Sequence, residues 1–153
     1  MTPPLSQHRK RLLLIACSQR KLSDTRPVPA IERYDGPAFR VLRKYLSEVE
    51  CASLAILIVS AEFGLIAANR KIPDYDRRMS IGRASELAPS VKSAVLRFIS
   101  KHRPSEIGIC LGRDYANAIS GLEGQIPKSI VIEHLRGGLG PRLSNLHRWL
   151  RSS

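Results

Sequence analysis

Residues able to carry chemistry fall in a few short stretches of the chain. The first is "LLLIACSQRK", where five apolar residues from Leu12 run into Cys17 and Ser18, with Lys21 three positions past the serine. A thiol beside a cation can act as a nucleophile, whereas a small thiol closing a buried strand can equally be packing. Serine and backbone amides at a strand-to-helix turn can hold an anion, and Lys21 adds charge for a phosphate. A second stretch, "SAEFGLI", sets Ser60 and Glu62 after a strand too apolar to want a carboxylate inside. Glu62 is therefore a satisfied cap or a functional acid. Gly64 suits a positive backbone angle or close approach by a ligand. A third, "IPDYDRRM", places Asp74 and Asp76 two apart around Tyr75. In an extended loop both carboxylates face one way, as a general base, a ribose-diol ligand or a cation site would require; a turn held by Asp–Arg pairs explains them equally well. In "CLGRDYANAI", Gly112 permits a turn and Arg113 brings a positive charge to a helix start, which resembles a phosphate-binding turn on a single glycine. "RGGLGP" lacks the spacing of a P-loop or dinucleotide fingerprint. His134 and His147 have no Cys or His partner at metal-ligand spacing, so neither a metal nor a cofactor is expected.

The elements that must position these groups alternate. Leu12–Ala16 reads as a strand buried on both faces. A polar loop over 17–29 leads to a helix near Ala30 that is interrupted at "YDGP" and resumes from Pro37, a good first-turn residue. "LAILIVSAEFGLI" from Leu54 carries the second strand, which ends at Ser60–Glu62 with Gly64 turning the chain, and a long polar loop of the kind that carries function follows. A helix over 85–102, ended by Pro104, precedes a third strand, "EIGICLG". "RDYANAISGLE" reads as a helix, "SIVIEH" as a fourth strand, "LRGGLG" as a glycine loop and "PRLSNLHRWLR" as a last helix. The pattern predicts a single-domain, three-layer α/β fold over residues 11–153. Its sheet is mainly parallel, four-stranded or slightly larger, with helices on both faces; residues 1–10 form a basic arm. Ligands of such open sheets bind at the carboxyl ends of the strands. Cys17, Ser18, Ser60, Glu62, Gly112, Arg113 and His134 should converge there.

Composition narrows the partner. In 153 residues there are 25 Lys and Arg against 13 Asp and Glu, a formal net charge of +12. The excess is uneven: nine cations and three acids lie between Arg70 and Arg103, and four arginines with no acid follow from Arg136. This favours a nucleic acid or nucleotide, although a soluble basic protein with solvated helices has the same composition. No apolar run approaches the roughly eighteen residues of a membrane span, and none resembles a signal peptide. Three widely spaced cysteines do not make a disulfide framework, so a cytoplasmic location is expected.

Taken in order, "IACSQRK", "PAIERYDGPAFR", "VSAEFGLIAANRKIPDYDRRM", "LGRDYANAI" and "GGLGPRLSNLHRWL" resemble a family of uncharacterised bacterial and phage domains similar to the YaaA peroxide-stress proteins. The likeness runs from about Leu12 to Leu150. More distantly, the core is similar to archaeosine-pathway domains and to the uracil-DNA glycosylase fold. The resemblance implies a nucleic acid or nucleobase ligand, with Cys17, Ser18, Lys21, Tyr34, Ser60, Gly64, Asp74, Tyr75 and Asp76 on the shared marks. The leading expectation is an enzyme that breaks or exchanges an N-glycosidic bond or modifies a base, with Glu62, Asp76 and Cys17 as catalytic candidates. A non-catalytic nucleic-acid-binding module and a nucleotide-sensing domain are the alternatives.

Overall fold

The computed structural model describes residues 10–49 and 53–152. The expected arm therefore lies, but for Lys10, outside the described residues. The apolar run at the start of the chain forms β1, Arg11–Ala16, whose interior from Leu12 to Ile15 is fully buried. Val28–Pro29 is β2, Ala30–Arg33 is α1 and Pro37–Glu48 is α2. Leu54–Ser60 is β3, Gly64–Ala67 is β4 and Lys71–Ile72 is β5. Ile81–His102 is α3, Glu106–Cys110 is β6, Val131–His134 is β7 and Leu139–Arg151 is α4.

Five strands make one sheet in the order β4-β3-β1-β6-β7. β1 lies parallel to both β3 and β6, and β6 runs parallel to β7. The chain leaves β1 for β3 on one side, then crosses back to β6 on the other. The order therefore reverses between β1 and β6, where an open α/β sheet leaves a crevice at its carboxyl edge. Helices α2 and α4 pack against each other, and α3 packs on β4 and on a 3-10 segment at Arg113–Ile119. This is the three-layer α/β architecture that the alternation of elements predicts.

Several local details differ from expectation. The chain turns at Gly64, φ 73°, as expected, but the residues that follow form a further strand, β4, which pairs antiparallel with β3. The polar loops each yield a short strand, and β2 and β5 pair with each other. Helix α3 begins earlier than expected, at Ile81, where Ser80 caps it by accepting from the Arg83 N–H at 3.0 Å. Its end is made by Arg103 in the left-handed region, one residue before Pro104. The expected helix after Gly112 is the 3-10 segment, while α4 reaches back through the glycine loop to Leu139.

Two buried polar anchors set the loops around the crevice. Arg33 is fully buried and donates to the carbonyls of Leu22, Asp24, Arg26 and Ile72. It stitches the loop after β1 to β5. Trp149 of α4 lies flat on β6: its indole N–H donates to Glu106 at 3.0 Å, and the Arg11 guanidinium sits 4.6 Å from the ring centroid. Gly108 makes that approach possible, since a Cβ there would stand 2.8 Å from the indole carbons.

Candidate active site at the carboxyl edge

The carboxyl ends of β1, β3 and β6 meet as their apolar runs stop. Cys17 follows β1 directly, and its amide continues the pairing by donating to the Val59 carbonyl at 3.0 Å. Its thiol lies 3.0 Å from the Tyr115 hydroxyl, which itself donates to the Cys17 carbonyl at 3.1 Å. Next to it, Ser18 Oγ accepts from the Gly36 N–H at 3.2 Å and donates to the Arg20 carbonyl at 2.6 Å. Gly36 must be small, for a Cβ would meet Ser18 Cβ at 2.7 Å. The first turn of α2 is thereby held against the Cys17–Ser18 turn.

Three linked cavities run along this edge. A crevice of about 200 Å³ lies between the ends of β1 and β6, lined by Cys17, Ser18, Gly112, Tyr115 and Arg142 and by the opening residues of α2 and α4. Helix N-termini carry partial positive charge, so two favour an anion here. On one side Cys17, Ser18 and Tyr115 also face a space of about 220 Å³ with Arg77, Arg78 and Asp114. On the other, Gly112 and Arg142 also line a pocket of about 460 Å³ that contains Arg113 and Arg136. Gly112 is not a turn: its backbone is extended, and what its missing side chain admits is Arg142 Nη1, 3.1 Å from where a Cβ would stand. The neighbouring Cys110 thiol is pushed up to about 11 by burial, against an opposing effect of Arg142.

Behind the thiol lies a cluster of hydroxyls. Tyr34 and Ser60 are fully buried, and Tyr34 donates to Ser60 Oγ at 3.1 Å. Tyr75 brings its hydroxyl to 2.6 Å from Tyr34 and 3.2 Å from Ser60. Ser60 also accepts the amides of Glu62 and Phe63, at 3.2 and 3.1 Å, which fixes the turn into β4. Lys21 extends over the Tyr75 ring at 4.4 Å. That face of Tyr75 already holds a cation, so a base would have to displace Lys21 to stack there.

Burial disfavours the phenolate of Tyr34 and raises it from 10.0 to about 12, outweighing the opposite pull of the hydrogen bonds to Ser60 and Tyr75. Tyr75 and Tyr115 are also raised, first by burial and then by Cys17. A raised acid stabilises the fold below its unfolded value and loses that contribution as pH climbs through the folded one. Stability should therefore hold up to about pH 10 and fall towards about pH 12. Denaturant melts across that range should show this slope, and Tyr34→Phe should flatten it; an unchanged slope would mean that Tyr34 ionises freely.

The remaining expected site residues are placed unevenly. Glu62 is half-buried and meets Arg77 at 3.8 Å, while Arg83 donates to the carbonyls of Ala61 and Glu62. Gly64 serves the hairpin and backs onto Leu87 and Ser90 of α3. Asp74 and Asp76 are exposed; Asp74 accepts from the Tyr75 amide at 3.0 Å, and Asp76 has no hydrogen bond or ion pair among the described residues. Neither makes the Asp–Arg pair of the alternative reading. The loop still folds over the edge, with Tyr75 in the hydroxyl cluster and Arg78 donating to Gln19 at 3.1 Å. His134 pairs with Glu123 at the wall of the large pocket. Sequence reasoning missed Tyr115 and Arg142. Tyr115 had a signal, an aromatic residue just past a strand end, but Arg142 reads as one more helix cation.

A mostly parallel α/β sheet, with a cationic crevice beside Cys17 at its switch point, defines the class of this protein by its fold. The chain belongs to DUF6884, a family of unknown function, whose sequence pattern it matches over residues 12–148. The fold is similar to the crystal structure of AF0587, a protein of unknown function, at 14% identity and a TM-score of 0.59. That likeness covers 95% of this chain and 46% of AF0587, so the chain spans about half the length of that protein. A search of curated proteins found no match.

Proposed function

We propose that this protein is an enzyme that binds a nucleotide or a nucleic acid at the switch-point crevice and cleaves, exchanges or modifies its base. The observation that carries this reading is the position of Cys17. Of the three catalytic candidates it alone lines both the crevice between β1 and β6 and the space beside it, with the protonated Tyr115 hydroxyl 3.0 Å away as a donor to a thiolate. The cationic surroundings suit a phosphate-bearing substrate, and the formal charge of +12 suits a polyanion. The motif likeness to YaaA proteins and to base-processing folds points the same way. Glu62, held by Arg77 at the neighbouring strand end, is the second acid–base candidate.

The test is unbiased. The protein is incubated with nucleotides, oligonucleotides and tRNA, and mass spectrometry looks for a released base or a changed mass. Fluorescence anisotropy on the same preparation should show affinity for nucleic acid falling about 10³–10⁵-fold between 50 and 200 mM salt if six to ten phosphates are contacted. Binding with that slope but no chemical change would favour the non-catalytic module. No binding at low salt by folded protein would remove the nucleic acid and leave a small nucleotide.

A further inference from the structure

The pocket between the ends of β6 and β7 has no part in the argument from Cys17, yet it carries the clearest charge signal in the molecule. Most of the described arginines are spent on carbonyls or carboxylates: Arg33 on loop carbonyls, Arg40 and Arg43 on Asp35, Arg83 on the β3 end, Arg151 on Glu48. Arg113, Arg136 and Arg142 come from three different elements and line one pocket of about 460 Å³. Among the described residues none of their guanidinium groups has a hydrogen-bond or ion-pair partner. The one carboxylate lining the pocket, Glu123, is taken by His134. Arginines that converge without partners repel one another, and an anion with several acceptor oxygens relieves this. The guanidinium fork matches phosphate oxygens two at a time. The volume lies within the range of about 300–1,000 Å³ usual for small-ligand pockets. Gly112 and Arg142 line both this pocket and the Cys17 crevice, so one ligand can span the two.

We infer that Arg113, Arg136 and Arg142 form a phosphoryl subsite that holds the terminal phosphate or diphosphate of a nucleotide while its base and sugar lie over Cys17. The subsite deepens the proposed function, resting on that reading for the rest of the ligand. Its shared chemistry is a phosphoryl group at the end of a nucleotide, free or at the 5′ end of a strand.

Calorimetric titration with inorganic pyrophosphate isolates the subsite, with AMP against adenosine as the second pair. Pyrophosphate and AMP should bind, and adenosine should bind far more weakly. Arg136→Ala and Arg142→Gln should each weaken pyrophosphate about tenfold or more, as expected for hydrogen bonds to a charged group. Gly124→Asp puts a carboxylate into the pocket where nothing stands within 4 Å of a Cβ, and should abolish binding without disturbing the fold. Arg97→Ala removes an exposed cation of α3 and should change nothing, which separates a site from general attraction to a basic protein. Thermal melts on each variant confirm folding. Competition by a 5′-phosphorylated oligonucleotide but not its 5′-hydroxyl form identifies a strand end as the source; competition by AMP alone identifies a free nucleotide. Absence of pyrophosphate binding, or equal losses in Arg97→Ala and Arg136→Ala, would overturn the subsite even if a base is still released. Pyrophosphate binding without any change to a base would leave the subsite standing and remove the proposed chemistry.

Discussion

Cys17→Ser should lower turnover by about 10²–10⁴-fold, the scale on which a positioned reacting group acts, while leaving nucleic-acid affinity and its salt dependence intact. The substitution changes one atom of a side chain that is 9% exposed, so the fold should survive. A hydroxyl at this position still reaches Tyr115, which preserves the local packing, but it is a much weaker nucleophile than a thiolate. Tyr115→Phe removes the hydroxyl that contacts the thiol and should reduce turnover as well, with little effect on affinity. Glu62→Gln and Asp76→Asn in the same assay rank the two carboxylates. Glu62 should have the larger effect, because it is half-buried at a strand end whereas Asp76 stands exposed. Full activity in Cys17→Ser would return Cys17 to the role of a small residue closing a buried strand. Loss of activity in Asp76→Asn alone would move the reacting centre outward to the loop.

Trp149→Ala should cost about 3–5 kcal/mol, the usual range for truncating a large buried aromatic residue. Natural domains hold only about 5–15 kcal/mol in total, so this single change should bring the protein close to unfolding. The cost has identifiable parts. A 2% exposed ring leaves a cavity between α4 and β6. Glu106 loses its indole donor and Arg11 loses the face it covers. Gly108 gives a sharper test of the same contact. In the native protein Gly108→Ala drives a methyl to 2.8 Å from the indole carbons, and overpacking of this kind costs about 1–3 kcal/mol. In the Trp149→Ala background the methyl instead enters the cavity, and the same substitution should stabilise. Urea melts of the four proteins in this cycle measure the sign change. Additive effects would show that α4 does not rest on Gly108.

β1, β3 and β6 were legible because buried strands need unbroken apolar runs, and runs such as Leu12–Ala16 and Ile107–Cys110 admit little else. Alternation with helices then implied the parallel sheet, and the sheet implied that Cys17, Ser60 and Gly112 would share its carboxyl edge. The proline at the start of α2 is a local signal of the same kind, whereas the Ser80 cap of α3 lies before the start expected for that helix. Gly64 marked the turn after β3, but chain-local chemistry did not contain the pairing of the next four residues back onto β3, because a strand that short carries too little pattern to read. Nor did it contain the partners of the site. Cys17 and Tyr115 are far apart in sequence and meet only because β1 and β6 are neighbours in the sheet. Tyr34, Ser60 and Tyr75 join hydroxyls across three separate segments. Arg142 looks, in the sequence, like any other cation on a basic last helix. Its place beside Gly112 depends on where α4 crosses the sheet, and that crossing is set by Trp149 on Gly108. Sequence thus determined the main strands and helices and which edge they offer, because patterning and turn chemistry act locally. Only the tertiary structure decided which side chains stand unpaired together, because pairing depends on neighbours that the chain brings from a distance.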